Sequence, residues 1–170
     1  MKSLIITAMG YDRPGIVLEI SKVISTYGGN VEESRMAKMG SDFAIIMMVT
    51  IPGDNQKMVI KSLQLIPNLD IRTKLTNSVK DANFQEYNIV LHGADNEGIV
   101  NVLSSYLAEN SINILEMNTN LTPAPITGTL LFNLNAIIAL PSNINTESIN
   151  IDFNTLSKKL GVDLILEKCL

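Results

Sequence analysis

The sequence contains no tryptophan, one cysteine (Cys169) and one histidine (His92) among 170 residues. A single cysteine excludes an internal disulfide and indicates a reducing compartment, so we expect a cytoplasmic protein. With so few nitrogen and sulfur ligands, the sequence predicts no metal site, and it contains no cofactor-binding loop. No apolar run reaches the ~18 residues that a membrane span requires. The N-terminal apolar stretch is interrupted at Asp12 before a signal peptide would be complete, and we therefore expect no membrane association.

Basic charge is also scarce. The net charge is −4 and the sequence pI is about 5.0. Residues 85–170 contain three lysines and no arginine against nine acidic residues. This balance, together with the absence of a helix-turn-helix pattern, argues against direct nucleic-acid binding. Apolar residues make up 46% of the chain, which is enough to form a folded core.

An internal repeat is the most informative feature of the sequence. Residues 12–17 (DRPGIV) align with residues 95–100 (DNEGIV) at an offset of 83. The same offset relates Gly10 to Gly93, Asn30 to Asn113 and Glu33 to Glu116. Beyond residue 128 the offset becomes 89, so the second copy holds six extra residues within the stretch 122–128. An offset that is constant across several elements indicates a duplicated domain.

The apolar periodicity predicts the same elements in both copies. In the first copy, alternating or β-branched runs indicate strands, and apolar residues at helical spacing indicate two helices. The predicted strands are residues 4–9, 30–39, 42–51 and 69–75, and the predicted helices are residues 16–27 and 58–66. In the second copy the predicted strands are residues 86–92, 112–121, 129–140 and 162–167, with helices at 98–109 and 151–160.

The order βαββαβ defines the predicted fold class. Right-handed crossovers place the four strands in one antiparallel sheet with both helices on one face. The chain is therefore predicted to be an α+β protein with two ferredoxin-like domains, residues 1–77 and 85–170, joined by a linker at residues 78–84. In this topology the strands that begin at Asn30 and Asn113 lie at sheet edges, which pairing with the other copy or with another chain would cover.

The segment Gly10–Gly15 (GYDRPG) is the candidate binding site of the first copy. A helix N-terminus offers unpaired N–H groups and partial positive charge, and glycines allow a ligand to approach the backbone. Such a turn favours a carboxylate or phosphate group. Asp12 either receives the ammonium group of a zwitterion or caps the helix. Asn30 either offers an amide, on the expectation that the chain returns it to the same end of the sheet, or merely ends its loop.

These residues, within two βαββαβ repeats, resemble an ACT domain, the small-molecule sensing module of amino-acid metabolism. The signature comprises Asp12-Arg13-Pro14-Gly15-Ile16-Val17 and then Gly29-Asn30-Val31. Two such units over residues 2–168, with residues 33–40 (ESRMAKMG) and 123–132 (PAPITGTLLF), resemble the glycine cleavage system transcriptional repressor family.

The resemblance implies a regulatory protein and not an enzyme. The family would bind a small, glycine-like amino acid and repress glycine cleavage genes through a protein partner, a transcriptional activator, in place of direct DNA contact. A homodimer is compatible with it. The alternative is a generic amino-acid-binding regulatory subunit of a metabolic enzyme. By position, the ligand-binding residues would be Gly10, Asp12, Arg13, Gly15 and Asn30 in the first copy, and Gly93, Asp95, Gly98 and Asn113 in the second.

Overall fold

The computed structural model describes residues 2–77 and 84–169. The chain divides into two compact units, Met1–Lys80 and Asp81–Leu170. Of the predicted linker at residues 78–84, all but Phe84 lies outside the described residues, and Phe84 begins a strand. Each unit contains its own sheet and its own buried cluster.

The first unit has the predicted order of elements. It comprises β1 (Lys2–Tyr11), α1 (Ile16–Thr26), β2 (Asn30–Met39), β3 (Asp42–Ile51), α2 (Gln56–Gln64) and β4 (Asp70–Thr76), with a short 3-10 turn at Gly53–Asn55 before α2. The four strands form one sheet in the order β2-β3-β1-β4, and every pairing is antiparallel. Residues of α1 and α2 both enter the one buried cluster, so both helices cover the same face of the sheet.

The second unit repeats this architecture. It comprises β5 (Phe84–Ala94), α3 (Ile99–Glu109), β6 (Asn113–Pro123), β7 (Leu130–Pro141), α4 (Thr146–Leu160) and β8 (Val162–Lys168). The strand order is β6-β7-β5-β8. The predicted fold, an α+β chain of two ferredoxin-like units, is confirmed.

The start of α4 differs from the prediction. The helix begins at Thr146 and not at residue 151, because the Asn145 side chain accepts a hydrogen bond of 2.9 Å from the Glu147 N–H and caps the helix. The first turn of α4 is largely polar, so its apolar periodicity gave no signal there.

Periodic burial explains how the helices pack. Ile16, Ile20 and Ile24 are the buried residues of α1, and all are at most 2% exposed. They pack with the inward residues Leu4 and Ile6 of β1 in the first cluster. In the second cluster Ile99, Leu103 and Leu107 of α3 have the same spacing. Because the apolar face of each first helix packs on the sheet, the turn between the first strand and that helix is held at one end of the sheet.

Among the described residues, no helix combines the length and apolar character that crossing a membrane would demand.

Candidate functional site

The first strand-to-helix turn joins Tyr11 to Ile16, and Gly15 occupies the N-cap position of α1. Gly15 has φ 95°, the left-handed conformation that favours glycine. Its carbonyl accepts the first helical hydrogen bond, from the Glu19 N–H at 2.9 Å. No side chain caps this helix. The interpretation of Asp12 as the helix cap is therefore wrong, because the N-cap lies three residues further along.

Asp12 instead binds an ammonium group of the protein. Its Oδ2 lies 3.0 Å from the Nζ of Lys38, near the end of β2, and the two side chains are 33% and 61% exposed. The Asp12 N–H also donates to the Ser41 carbonyl at 2.9 Å, which anchors the turn to the β2–β3 hairpin. An exposed ion pair contributes at most about 1 kcal/mol. Another ammonium group can therefore replace that of Lys38 at little cost.

Arg13 is held by Glu19 of the first helical turn. Its Nη1 and Nη2 donate to the two Glu19 carboxylate oxygens at 2.5 and 2.7 Å. These hydrogen bonds hold the pKa of the Glu19 carboxyl below its ordinary value. The bidentate pair braces the turn against the helix, so the Arg13 guanidinium already has an anionic partner.

An open cavity of about 280 Å³ lies at this turn. It is lined by Asp12, Arg13, Gly15, Ile16, Val17, Leu18 and Phe43. The first N–H groups of a helix have no carbonyl partner within the helix. The cavity therefore combines these N–H donors with the Asp12 carboxylate, and such a pair of groups suits a small zwitterion.

Asn30 lies at the opposite end of the sheet from this turn. It pairs with Thr50, which pairs with Ser3 at the start of β1. The turn follows Tyr11, which pairs with Asp42, so roughly 25 Å of strand separates the two positions. The expectation that Asn30 returns to the turn within its own unit is wrong, because α1 carries the chain back to the starting end of β1 and β2 then runs parallel to β1. By the same register, Asn113 lies opposite Ala139, away from Asp95.

The close packing of their own unit explains why residues 10 and 93 are glycine. A Cβ at Gly10 would lie 2.3 Å from the Asn68 carbonyl oxygen and 2.8 Å from Leu69 Cδ2. A Cβ at Gly93 would lie 2.7 Å from Val162 Cγ1. The segment just before β4 thus comes close to Gly10, and the start of β8 comes close to Gly93. This packing alone accounts for the residue type.

The second turn has the same backbone and a different charge. Gly98 has φ 83° at the N-cap of α3, and the Asn96 side chain donates to the Leu160 carbonyl at 3.0 Å. An open cavity of about 660 Å³ contains Asp95, Glu97 and Phe132 in its lining. Leu121 pairs with Phe132 as Lys38 pairs with Phe43, so a leucine stands where the first unit has its lysine. Neither Asp95 nor Glu97 forms an ion pair among the described residues.

Lys38 is the residue of the site that sequence reasoning missed. It lies 26 positions beyond Asp12, and only the β2–β3 register brings it to the turn. The sequence did contain a signal for Lys38. The repeat aligns Lys38 with Leu121, so the two copies differ in charge at this position. His92 lies within β5 with its Nδ1 2.5 Å from the Asn133 Oδ1. In the described residues, no three histidine, cysteine or acidic side chains come together as metal ligands.

Comparison with known proteins shows what the chain is similar to. The ACT domain family model matches residues 2–76. The glycine cleavage system transcriptional repressor of Escherichia coli is 49% identical over 47 residues, which are 28% of this chain and 25% of the repressor. The matched part thus spans a quarter of that relative. A crystal structure of an unknown protein from Galdieria sulphuraria covers 99% of both chains with 32% identity and a TM-score of 0.87.

A further crystal structure, of a protein provisionally named a glycine cleavage system transcriptional repressor, shares the fold. It covers 99% of this chain and 98% of its own, with 24% identity and a TM-score of 0.72. The chain belongs to the same family as the Galdieria protein. Its first unit is an ACT domain, and its second unit has the same topology. Part of the chain is similar to the glycine cleavage system transcriptional repressors.

Proposed function

We propose that the protein is a non-enzymatic regulator that senses a small, glycine-like amino acid and modulates transcription through a protein partner, repressing glycine cleavage genes. The observation that carries the proposal is the Asp12 carboxylate, which holds an ammonium group beside the open first turn of α1. The name of the Escherichia coli relative supports the regulatory role. The net charge of −4 favours action through a protein and not through direct DNA contact.

The first turn would bind the two ends of an α-amino acid with different groups. The free N–H groups of α1 and the positive end of its dipole attract the ligand carboxylate. Asp12 accepts the ligand ammonium in exchange for the ammonium of Lys38. Glycine has no side chain, so the open cavity of about 280 Å³ accommodates it and other small amino acids.

Asn30 would contribute to the site through a second copy of the chain. β2 is an edge strand of its sheet, and an edge strand offers unpaired N–H and carbonyl groups to another strand. If two β2 strands pair antiparallel, the Asn30 end of one meets the Lys38 end of the other. The partner subunit's Asn30 then lies beside the turn that its own unit cannot reach. Within the described part of the chain, the Asn30 amide donates to Glu32 Oε1 alone, at 3.2 Å, and both residues are exposed.

Isothermal titration of the whole chain with glycine, L-serine and the branched-chain amino acids tests this proposal. We expect binding of the smallest amino acids and weaker binding of the branched ones. Circular dichroism in the same buffer shows that the protein is folded. If the folded protein binds none of them, the sensing role is refuted.

A gel shift of the protein alone on the glycine cleavage promoter tests direct DNA binding, and it should show no DNA complex.

Replacing Asn30 with alanine should weaken amino-acid binding about fivefold, since a lost polar contact costs about 1 kcal/mol. The free energy of unfolding should hardly change, because the side chain is exposed. Asn55→Ala is the matched control. It removes a part-buried hydrogen bond of 2.9 Å to the Tyr27 carbonyl, so it should lower stability and leave affinity unchanged. If Asn30→Ala instead destabilises the first unit and leaves the affinity of the folded protein unchanged, Asn30 is structural and has no part in binding.

A further inference from the structure

The two turns differ in their balance of charge. In the first turn each carboxylate has a cation, Lys38 for Asp12 and Arg13 for Glu19. In the second turn the repeat replaces both cations and keeps two acids, because Val102 stands for Glu19 while Glu97 is new. Asn96 stands for Arg13, Glu97 for Pro14 and Leu121 for Lys38. The first turn is therefore neutral over its four charged groups, and the second is anionic.

We propose that Lys38 joins the N–H groups of α1 in recognising the ligand carboxylate, so that Lys38 and Asp12 together form the receptor for an amino-acid zwitterion, and that the second turn binds no zwitterion. This inference rests on the proposed function and adds two statements to it. One names a specificity-determining residue that the motif does not contain. The other fixes the stoichiometry at one amino acid per chain.

The geometry of the ion pair supports a shared role for Asp12 and Lys38. Their charged atoms are 3.0 Å apart. A zwitterion that enters between them offers an ammonium group to Asp12 and a carboxylate to Lys38, so two charge-assisted contacts replace one. Lys38 is 61% exposed, and its flexible stem allows the ammonium group to follow the ligand carboxylate.

No cationic side chain is found among the described residues that line the cavity of the second turn. The N-terminus of α3 would attract the carboxylate of the ligand. Asp95 and Glu97 both line the cavity, and their negative charges repel that carboxylate. Leu121, at the lysine position, is 47% exposed and carries no charge. An ammonium group could pair with these carboxylates, yet the carboxylate of the same ligand would remain without a partner.

Three probes separate the two ends of the ligand. Glycine carries both charged groups, glycinamide carries only the ammonium group, and glycolate carries only the carboxylate. Isothermal titration of the whole chain should give one site for glycine and clearly weaker binding of the other two. A fitted stoichiometry of two glycines per chain would overturn the single-site statement.

Lys38→Met removes the charge and keeps most of the side-chain length. It should weaken glycine binding about tenfold or more, as expected for loss of a charge-assisted contact. It should not weaken glycinamide binding, because it removes the ammonium group that competes for Asp12. Lys74→Met on β4 is the matched control, at a lysine that pairs with Ile5 away from the turn, and it should leave all three affinities unchanged.

The outcomes separate this inference from the proposed function. If wild-type protein binds glycine once and Lys38→Met shows the crossed pattern, weak for glycine and unchanged for glycinamide, both hold. If wild-type protein binds glycine and Lys38→Met binds it within twofold of wild type, the role of Lys38 is refuted and the sensing role stands. If folded wild-type protein binds no amino acid, the proposed function itself fails.

Discussion

Ile20→Ala is expected to lower the free energy of unfolding of the first unit by ~2–5 kcal/mol. Ile20 is fully buried at the middle of α1 and packs within the first core cluster. The substitution removes three carbon atoms from a close-packed interior, and the surroundings collapse only in part. Native-state hydrogen exchange at the amides of residues 16–26 measures the effect within this unit.

Leu18→Ala on the same helix is the control for Ile20→Ala. Leu18 is 68% exposed, so its truncation should change stability by no more than about 0.5 kcal/mol. A similar loss at both positions would contradict the packing of α1 described here, because it would mean that the helix does not bury the Ile16, Ile20 and Ile24 face.

Gly10→Ala is expected to destabilise the first unit by ~1–3 kcal/mol, the usual effect of overpacking. The added Cβ would lie 2.3 Å from the carbonyl oxygen of Asn68, a backbone atom that cannot rotate away. Asn68 itself has φ 60°, an uncommon conformation for a residue other than glycine, so the segment before β4 has little freedom to move. Urea unfolding followed by circular dichroism gives the change in stability.

Gly53→Ala separates this steric effect from a general cost of losing a glycine. No atom lies within 4 Å of a Cβ built at Gly53, and Gly53 has no positive φ. Its replacement should therefore be neutral or slightly stabilising. A stable Gly10→Ala protein with weakened amino-acid binding would show that Gly10 serves the ligand and not the packing of β4.

The sequence predicted the fold well because several independent signals agreed. The predicted strands 30–39 and 42–51 match β2 and β3 at both ends, since Gly40 and Ser41 mark the hairpin turn between them. The start of α4 was missed because it depends on the Asn145 cap and not on apolar spacing. The hydrogen bond from the Glu147 N–H to the Asn145 side chain sets the start of α4, and the spacing of apolar residues does not reveal such a bond.

The candidate site was predicted in part. Residues 12–15 do form an open turn at a helix N-terminus, whereas residues 10 and 11 are the end of β1. The repeat located the second turn correctly. The placement of Asn30 failed because a strand–helix–strand unit returns the chain to the start of the first strand, so β2 begins far from the turn. Lys38 was missed because its contact with Asp12 depends on strand register. Motif spacing alone cannot report a contact that register creates.

A titration of the ¹⁵N-labelled chain with glycine, followed by amide NMR shifts, tests the central claim most directly. We expect saturable shifts at residues 10–18 and at Lys38, with residues 93–100 unchanged. Shifts confined to residues 93–100, or none at residues 10–18 at saturating glycine, would contradict it.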